Sequence, residues 1–348
     1  MRDTSKNNFI SIAKAIGIIL MVCGHSGCPN AIGRFIYLFH MPLFFVCSGY
    51  FFKEISDTAQ LFSFYKKKIK KLYVPYIKWS LLFLFLHNLF YNINIYNDLS
   101  NSYKYQLGDY IKQFFKLIVM TDYELLIRPF WFIKVLLLAS MLVATISFLR
   151  YLYFKKTKFE VILLLTLSLT IVTKSLPSLP IIGDLSTLLL CTTYIYTGIL
   201  LKKYESNIKF TKSTILTSFI IIVIGSLFFV GAIDCRYITM TSIIPYFILS
   251  LFGISLTFGL SKQLEQITNN TILYYIGNNT MPILALNLLA LKIGNLLKIG
   301  IYSLPIERLS SYTVIYEYNS FFWILNTIIG VTVPLIIYHF HKRLASLA

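Results

Sequence analysis

The sequence predicts an all-α fold: one polytopic membrane domain over residues 1–348, with about ten transmembrane helices and both termini in the cytoplasm. Three observations carry this expectation. Hydrophobic residues make up 57% of the chain and charged residues 13%, against roughly 25% charged in soluble domains. Apolar runs recur along the whole length, each long enough to cross a hydrocarbon core of about 30 Å. Basic residues gather in alternate connections between those runs, as cytoplasmic loops do.

The expected spans lie near 9–24, 33–52, 73–96, 128–149, 159–176, 185–201, 213–232, 241–261, 273–296 and 320–340. The first run carries Lys14 and is followed by no small-residue cleavage site, so it reads as a retained span rather than a signal peptide. With both termini inside, Arg2 and Lys6 are cytoplasmic, and so are Lys53, Lys66, Lys67, Lys68, Lys70 and Lys71. Arg150, Lys155, Lys156 and Lys158 fall on the same side, as do Lys202, Lys203, Lys209 and Lys212, and finally Lys342 and Arg343. Residues 97–127 are polar and aromatic and read as an outer excursion, with an interfacial helix across 107–120. No internal repeat is evident.

The net charge of +18 does not point to nucleic acid, because the positive residues follow the topology instead of forming one basic face. Anionic lipid headgroups or a phosphorylated substrate fit better. The five cysteines (Cys23, Cys28, Cys47, Cys191 and Cys235) show no C-x-x-C and no metal-ligand spacing, so no metal site is expected. Most read as small apolar residues within helices. Cys28 and Cys235 fall near expected outer loops, where a pairing is open.

Four places carry residues suited to chemistry. In the first span, Lys14 precedes His25 by eleven residues, about three helical turns, which puts both on one face roughly 16 Å apart. A charge in hydrocarbon costs about 2.5–3.5 kcal/mol on insertion scales, so Lys14 needs a reason to be there. His25 is followed by Ser26 and Gly27, which allow close approach to the ring, and an imidazole suits a general base at a hydroxyl. The next place is Phe39-His40-Met41-Pro42, where His40 is either a packing residue or a substrate contact, and Ser48-Gly49, a small pair that lets helices approach. No Gly-x-Ser-x-Gly surrounds Ser48, so it is not read as a nucleophile. Next, Lys66-Lys67-Lys68-Ile69-Lys70-Lys71 serves topology and also suits a phosphate grip. Last, Trp131-Phe132-Ile133-Lys134 opens the fourth span, with Glu124 or Asp122 as the expected partner of Lys134.

In this order, these residues resemble the acyltransferase-3 family of integral membrane O-acyltransferases, which modify sugars of surface polysaccharides. The resemblance rests on Lys14 followed by Gly24-His25, on Phe39-His40-Met41-Pro42-Leu43-Phe44-Phe45 with Ser48-Gly49-Tyr50, and on Lys68 and Lys71 leading to Pro75-Tyr76. It continues with Trp131-Phe132 and with Tyr275-Ile276-Gly277-Asn278-Asn279-Thr280-Met281-Pro282-Ile283, and so covers most of the chain. It implies that His25 is the essential catalytic residue, acting as base or as brief acyl carrier, the base role being favoured. It implies that Lys14, Lys68 and Lys71 serve an acyl-CoA donor, with acetyl-CoA the expected co-substrate and no bound cofactor. A carbohydrate acceptor, the lipid bilayer and the inner membrane of a bacterium complete the expectation, and His40, Ser48, Trp131 and Asn287 are candidates for the substrate site.

The chain departs from the family pattern at three points. Lysine stands at 14, 68 and 71 where arginine is usual, which keeps the charge and loses bidentate phosphate binding. Ser11 stands where an acidic residue is common, and Asn287 where related sugar O-acetylases carry histidine. Two other classes use similar materials. A transporter or flippase for lipid-linked sugars also places lysine and histidine within the membrane, but would show broken helices in paired halves, and none pair here. A polysaccharide polymerase would show an arginine-rich outer loop, whereas 97–127 and 297–319 offer Lys104, Lys112, Lys116, Lys298 and Arg308. An inactive relative is the remaining alternative, suggested by Ser11 and Asn287.

Overall fold

The computed structural model describes residues 8–229, 234–267 and 271–345. Arg2, Lys6 and the last part of the expected span 213–232 lie outside the described residues. Among the described residues every regular element is helical, apart from an isolated bridge between Leu179 and Gly183. In chain order the helices are α1 (Asn8–His25), α2 (Asn30–Tyr37), α3 (His40–Tyr50), α4 (Thr58–Lys68) and α5 (Val74–Asn92). There follow α6 (Leu107–Ile118), α7 (Trp131–Tyr153), α8 (Phe159–Thr173), α9 (Leu185–Lys203) and α10 (Lys212–Phe228). The last four are α11 (Ile243–Ile267), α12 (Thr271–Asn278), α13 (Thr280–Tyr302) and α14 (Phe322–Ala345).

Among the described residues, seven helical stretches are long and apolar enough to cross a membrane: Asn8–His25, Asn30–Tyr50, Leu125–Tyr153, Leu185–Lys203, Met240–Gln266, Thr280–Tyr302 and Phe322–Leu344. Each coincides with an expected span. The other three expected spans fall short for different reasons. α8 and α10 are apolar but have 15 and 17 residues, about 22–26 Å of helix against a core of about 30 Å. α5 is long enough, but Lys78, His87 and Asn88 interrupt its apolar character.

The chain divides into two compact units. The first comprises Met1–Gly17, Arg34–Val74 and Phe132–Gly277. Its tightest packing is between α3 and α9, where Gly49 and Gly198 let backbones meet. A Cβ on Gly49 would stand 1.9 Å from the Ile195 carbonyl oxygen, and one on Gly198 would stand 2.1 Å from that of Val46. α8 packs on α9 and α10 on α11 in the same unit. Arg34 of α2 closes the C-terminal end of α10 by donating to the carbonyls of Ser226 and Phe229, each at 2.7 Å. Gly277, at the end of α12, lies against the start of α1: a Cβ there would sit 1.8 Å from the Ser11 carbonyl oxygen.

The second unit comprises Ile18–Gly33, Pro75–Trp131 and Asn278–Ala348. α13 packs along α14, and the 3-10 turns Asp98–Ser100 and Leu125–Phe130 pack against the chain around α13. The expected interfacial helix is α6. It turns Leu107, Ile111, Phe114, Phe115 and Ile118 outward in one stripe, the spacing of an amphipathic helix whose apolar face rests on a bilayer surface.

Three sequence expectations need correction. The basic run 66–71 is not a loop: α4 passes through a π-helical turn, Ile69–Tyr73, directly into α5. Lys298 is not on an outer loop, because α13 continues to Tyr302 and buries it completely. Cys28 and Cys235 do not pair with each other; all five cysteines are free, Cys28 being in thiol contact with Cys23 and Cys235 with Cys191.

The glycine contact in the first unit sets a stability prediction. Gly198→Val should cost about 3 kcal/mol, since carbonyl oxygens have nowhere to move within a packed helix pair. Gly300→Ala, which meets only open space, should be neutral or slightly stabilising. Thermal unfolding in detergent measures both, and a wild-type midpoint for Gly198→Val would contradict the packing.

Candidate active site

His25 is the last residue of α1 and is half-buried. The turn that follows is fixed from several sides within the second unit. Ser26 is fully buried. Its hydroxyl donates to the Val22 carbonyl at 2.7 Å and accepts from the Thr327 hydroxyl at 3.0 Å. Asn326 donates to the Ser26 carbonyl at 3.4 Å, and the Asn319 amide donates to that of Gly27. Gly27 has φ +77°, which only glycine adopts without strain. A Cβ there would also stand 2.5 Å from Asn319 Nδ2 and 2.8 Å from Val314 Cγ2. The turn is therefore held in one conformation, and with it the end of the helix that carries His25.

Asn319 is itself held by a residue that sequence reasoning misplaced. Lys298 Nζ donates to Asn319 Oδ1 at 2.7 Å, to the Ile315 carbonyl at 2.6 Å and to the Glu317 carbonyl at 3.1 Å. Three oxygens satisfy its three donors, which is what a buried ammonium requires. The chain Lys298–Asn319–Gly27 thus links α13 to the turn beside His25. The signal for it in the sequence is a lysine eighteen residues into an apolar run; its acceptors lie 17 to 21 residues further along and become visible only in the folded chain.

The lysine candidates come together in the first unit. Lys68, the last residue of α4, donates to Ser48 Oγ and to Ser140 Oγ, each at 3.0 Å, and lies 5.4 Å from the centre of the Phe64 ring. Lys14 is half-buried and within electrostatic reach of Lys71 and the Cys47 thiol. The structure thus unites Lys68 with Ser48 and sets Lys14 near Lys71. Burial, followed by the like charges of Lys71 and Lys67, lowers the Lys68 pKa to about 8. The intervening π-turn widens the helix where Lys70 and Lys71 project, a feature often found at functional sites. The cluster pairs a half-buried ammonium with exposed ones, which suits an anion with several phosphates. Among the described residues no group of three His, Cys, Asp or Glu side chains is arranged to hold a metal.

The remaining candidates stand apart from these two groups. His40 opens α3 after the break at Leu38-Phe39, is buried, and has Nδ1 3.0 Å from the Ile36 carbonyl oxygen, satisfying the end of α2. Ser48 reappears as a partner of Lys68. Trp131 is the first residue of α7 and half-buried. Asn287 is fully buried on α13, donates to the Ile283 and Leu284 carbonyls at 2.9 and 2.8 Å, and turns its Oδ1 to no hydrogen-bond partner among the described residues. The hydroxyl of Tyr76 in the Pro-Tyr motif donates to the Leu117 carbonyl at 2.8 Å.

Lys134 does not take the acidic partners expected for it. Asp122 pairs with Lys116 at 2.9 Å, and Glu124 lies 2.8 Å from His87 Nδ1. His87 and Glu124 form a buried dyad that sequence reasoning missed, because 37 residues separate them. Its other nitrogen, Nε2, faces the Tyr103 carbonyl at 3.0 Å and must carry a proton there, since a carbonyl only accepts. The second proton is shared between Nδ1 and the carboxyl, and the ring stacks on Tyr105 at 3.4 Å. The dyad ties the outer excursion to α5.

Comparison with known proteins gives one match of wide extent. A family model described as an acyltransferase domain, of the acyltransferase-3 type, matches residues 7–341. No curated protein and no solved structure matches the chain.

The lysine cluster makes a pH prediction with a definite sign. Lys68, with its pKa lowered to about 8, is charged below that value and loses its proton as pH rises through it. Sulfate, whose own charge is constant over this range, should bind about tenfold more weakly at about pH 9 than at about pH 7. Lys68→Arg should remove most of that slope, since a guanidinium does not titrate there. Calorimetric titration on purified protein measures it; equal slopes in both proteins would take Lys68 out of the anion site.

Proposed function

Because the chain belongs to the acyltransferase-3 family and carries helices long and apolar enough to span a membrane, we propose that it acylates a sugar hydroxyl. The acyl group, acetyl in this reading, comes from acyl-CoA. The acceptor is a surface polysaccharide or its lipid-linked precursor, and the setting is the bacterial cytoplasmic membrane. The observation that carries the proposal is α1 itself: one unbroken helix with Lys14 on its first half and His25 at its last position. Eleven residues of helix set the two roughly 16 Å apart on one face. That separation suits a donor whose phosphates are gripped at one end and whose reactive thioester is carried away from them on an extended pantetheine arm.

In this mechanism Lys14, Lys68 and Lys71 hold the phosphates of coenzyme A as point charges. His25, as the neutral imidazole, takes the proton from the acceptor hydroxyl as its oxygen attacks the thioester carbonyl carbon. A new C–O bond forms, the C–S bond breaks, and the proton on His25 passes to the departing thiolate. The products are an ester and free coenzyme A, and the imidazole returns to its starting state. The buried turn after His25 supports this role by fixing the ring's attachment point, so little ordering is left for the moment of reaction.

The test is label transfer from radioactive acetyl-CoA to extracted polysaccharide, in membranes carrying equal amounts of wild type or His25→Ala. A positioned general base contributes typically about 10³-fold, and His25→Ala should lose at least that much while inserting normally. Wild-type transfer by His25→Ala would remove His25 from the chemistry. No transfer by either protein would remove acetyl-CoA as donor.

A further inference from the structure

Residues 306–319 join α13 to α14, and they are clamped rather than loose. Besides the grip of Lys298, Lys292 Nζ donates to the Ser311 carbonyl at 2.7 Å, and Asn295 Oδ1 accepts from the Ile315 amide at 3.0 Å. Lys292, Asn295 and Lys298 follow one another at three-residue steps on α13, and all three are buried. Two cations and an amide thus meet main-chain groups of the same segment. Such buried polar bonds are costly to break, and they fix a conformation.

The clamped segment forms a cleft of about 620 Å³, lined by Arg308, Ser311, Tyr312, Val314, Tyr316 and Glu317. That volume falls within the range of small-molecule sites, about 300–1,000 Å³. Its chemistry is specific. Arg308 and Glu317 form an ion pair with each other, so the charged groups lining the cleft sum to zero. Tyr316 is 66% exposed and Tyr312 41% exposed, which leaves aromatic surface open. Val314 is buried, and its Cγ2 is the atom that a Cβ on Gly27 would strike. The wall of the cleft and the turn after His25 therefore share a contact.

We propose that this cleft is the acceptor subsite and that it takes an uncharged pyranose glycan; the proposal rests on the acyl-transfer reading of His25. A pyranose presents an apolar C–H face and a ring of hydroxyls. The open tyrosine rings suit the first, since they offer rigid amphipathic surface. The Arg308–Glu317 pair offers donors and acceptors together for the second. An anionic sugar gains little here, because the carboxylate of Glu317 already neutralises the guanidinium it would seek. The Lys298–Asn319–Gly27 chain makes the cleft and the base parts of one rigid surface, which holds an acceptor hydroxyl in a constant position beside His25.

The test uses purified full-length protein in lipid nanodiscs, titrated with two probes by ligand-observed NMR. Maltotriose is the neutral trisaccharide and trigalacturonate the anionic one. Maltotriose should bind the wild type in preference to trigalacturonate. Tyr316→Ala should weaken maltotriose by about tenfold, the value of one aromatic contact, while Tyr316→Phe, which keeps the ring, should bind as the wild type does. Glu317→Gln, which frees Arg308, should shift preference toward trigalacturonate. Equal maltotriose binding by wild type and Tyr316→Ala, or a wild-type preference for the anion, would overturn the proposal. Release of coenzyme A from acetyl-CoA by the same wild-type preparation is read separately. Its absence would strike the acyl-transfer reading, while the titration decides the cleft.

Discussion

The structure depends on the register of α1. A helix has no freedom in the spacing of its side chains, so fixing its backbone at two points fixes the distance and direction between Lys14 and His25. The protein fixes it at both ends by backbone contact. Gly277 lies on the Ser11 carbonyl at the start, leaving no room for a Cβ. Ser26 and Gly27 are held at the other end by Thr327, Asn326 and Asn319. Along its length Gly17 takes the side chains of Leu43 and Phe44, and Val22 fills the place where Gly330 has none. Small residues opposite α1 are what let other segments come this close.

Buried charge is handled in two different ways. In the first unit Lys68 is half-buried, bonded to two neutral hydroxyls and crowded by like charges, an arrangement with spare attraction for an anion. In the second unit Lys298 has each of its donors matched to an oxygen, and its charge is spent on holding a segment in place. The same residue type is thus a binding group in one setting and a fastening in the other. Arginine in place of Lys298 would bring five donors to three acceptors. Lysine in place of arginine at 14, 68 and 71 keeps the attraction for phosphate and gives up its directional grip.

Much of this was legible in the sequence. The all-helical class and the seven clear spans follow from long apolar runs, because hydrocarbon tolerates no unpaired backbone. The place of His25 at a helix end followed from Gly24, Ser26 and Gly27 around it, and the close packing at Ser48-Gly49 followed from their size. Three things were hidden. The basic run 66–71 looks like a loop from its charge alone, whereas continuous hydrogen bonding carries α4 through a π-turn into α5. Lys292 and Lys298 look like marks of a span's end, because their carbonyl partners are supplied by a segment that turns back over α13. His87 and Glu124 lie on different elements and carry no local pattern that joins them. Each miss is a polar group satisfied by tertiary structure, and composition and periodicity do not report such partners.

The central claim is a division of labour along one helix, with donor binding at Lys14 and chemistry at His25. Steady-state kinetics with acetyl-CoA as the varied substrate tests it, comparing Lys14→Gln and His25→Gln in the same membrane preparation. The account predicts that Lys14→Gln raises KM for acetyl-CoA by about tenfold or more with kcat largely kept, the signature of lost binding. It predicts that His25→Gln lowers kcat with KM largely kept. If both variants lower kcat and neither moves KM, Lys14 does not hold the donor, and the division along α1 is wrong.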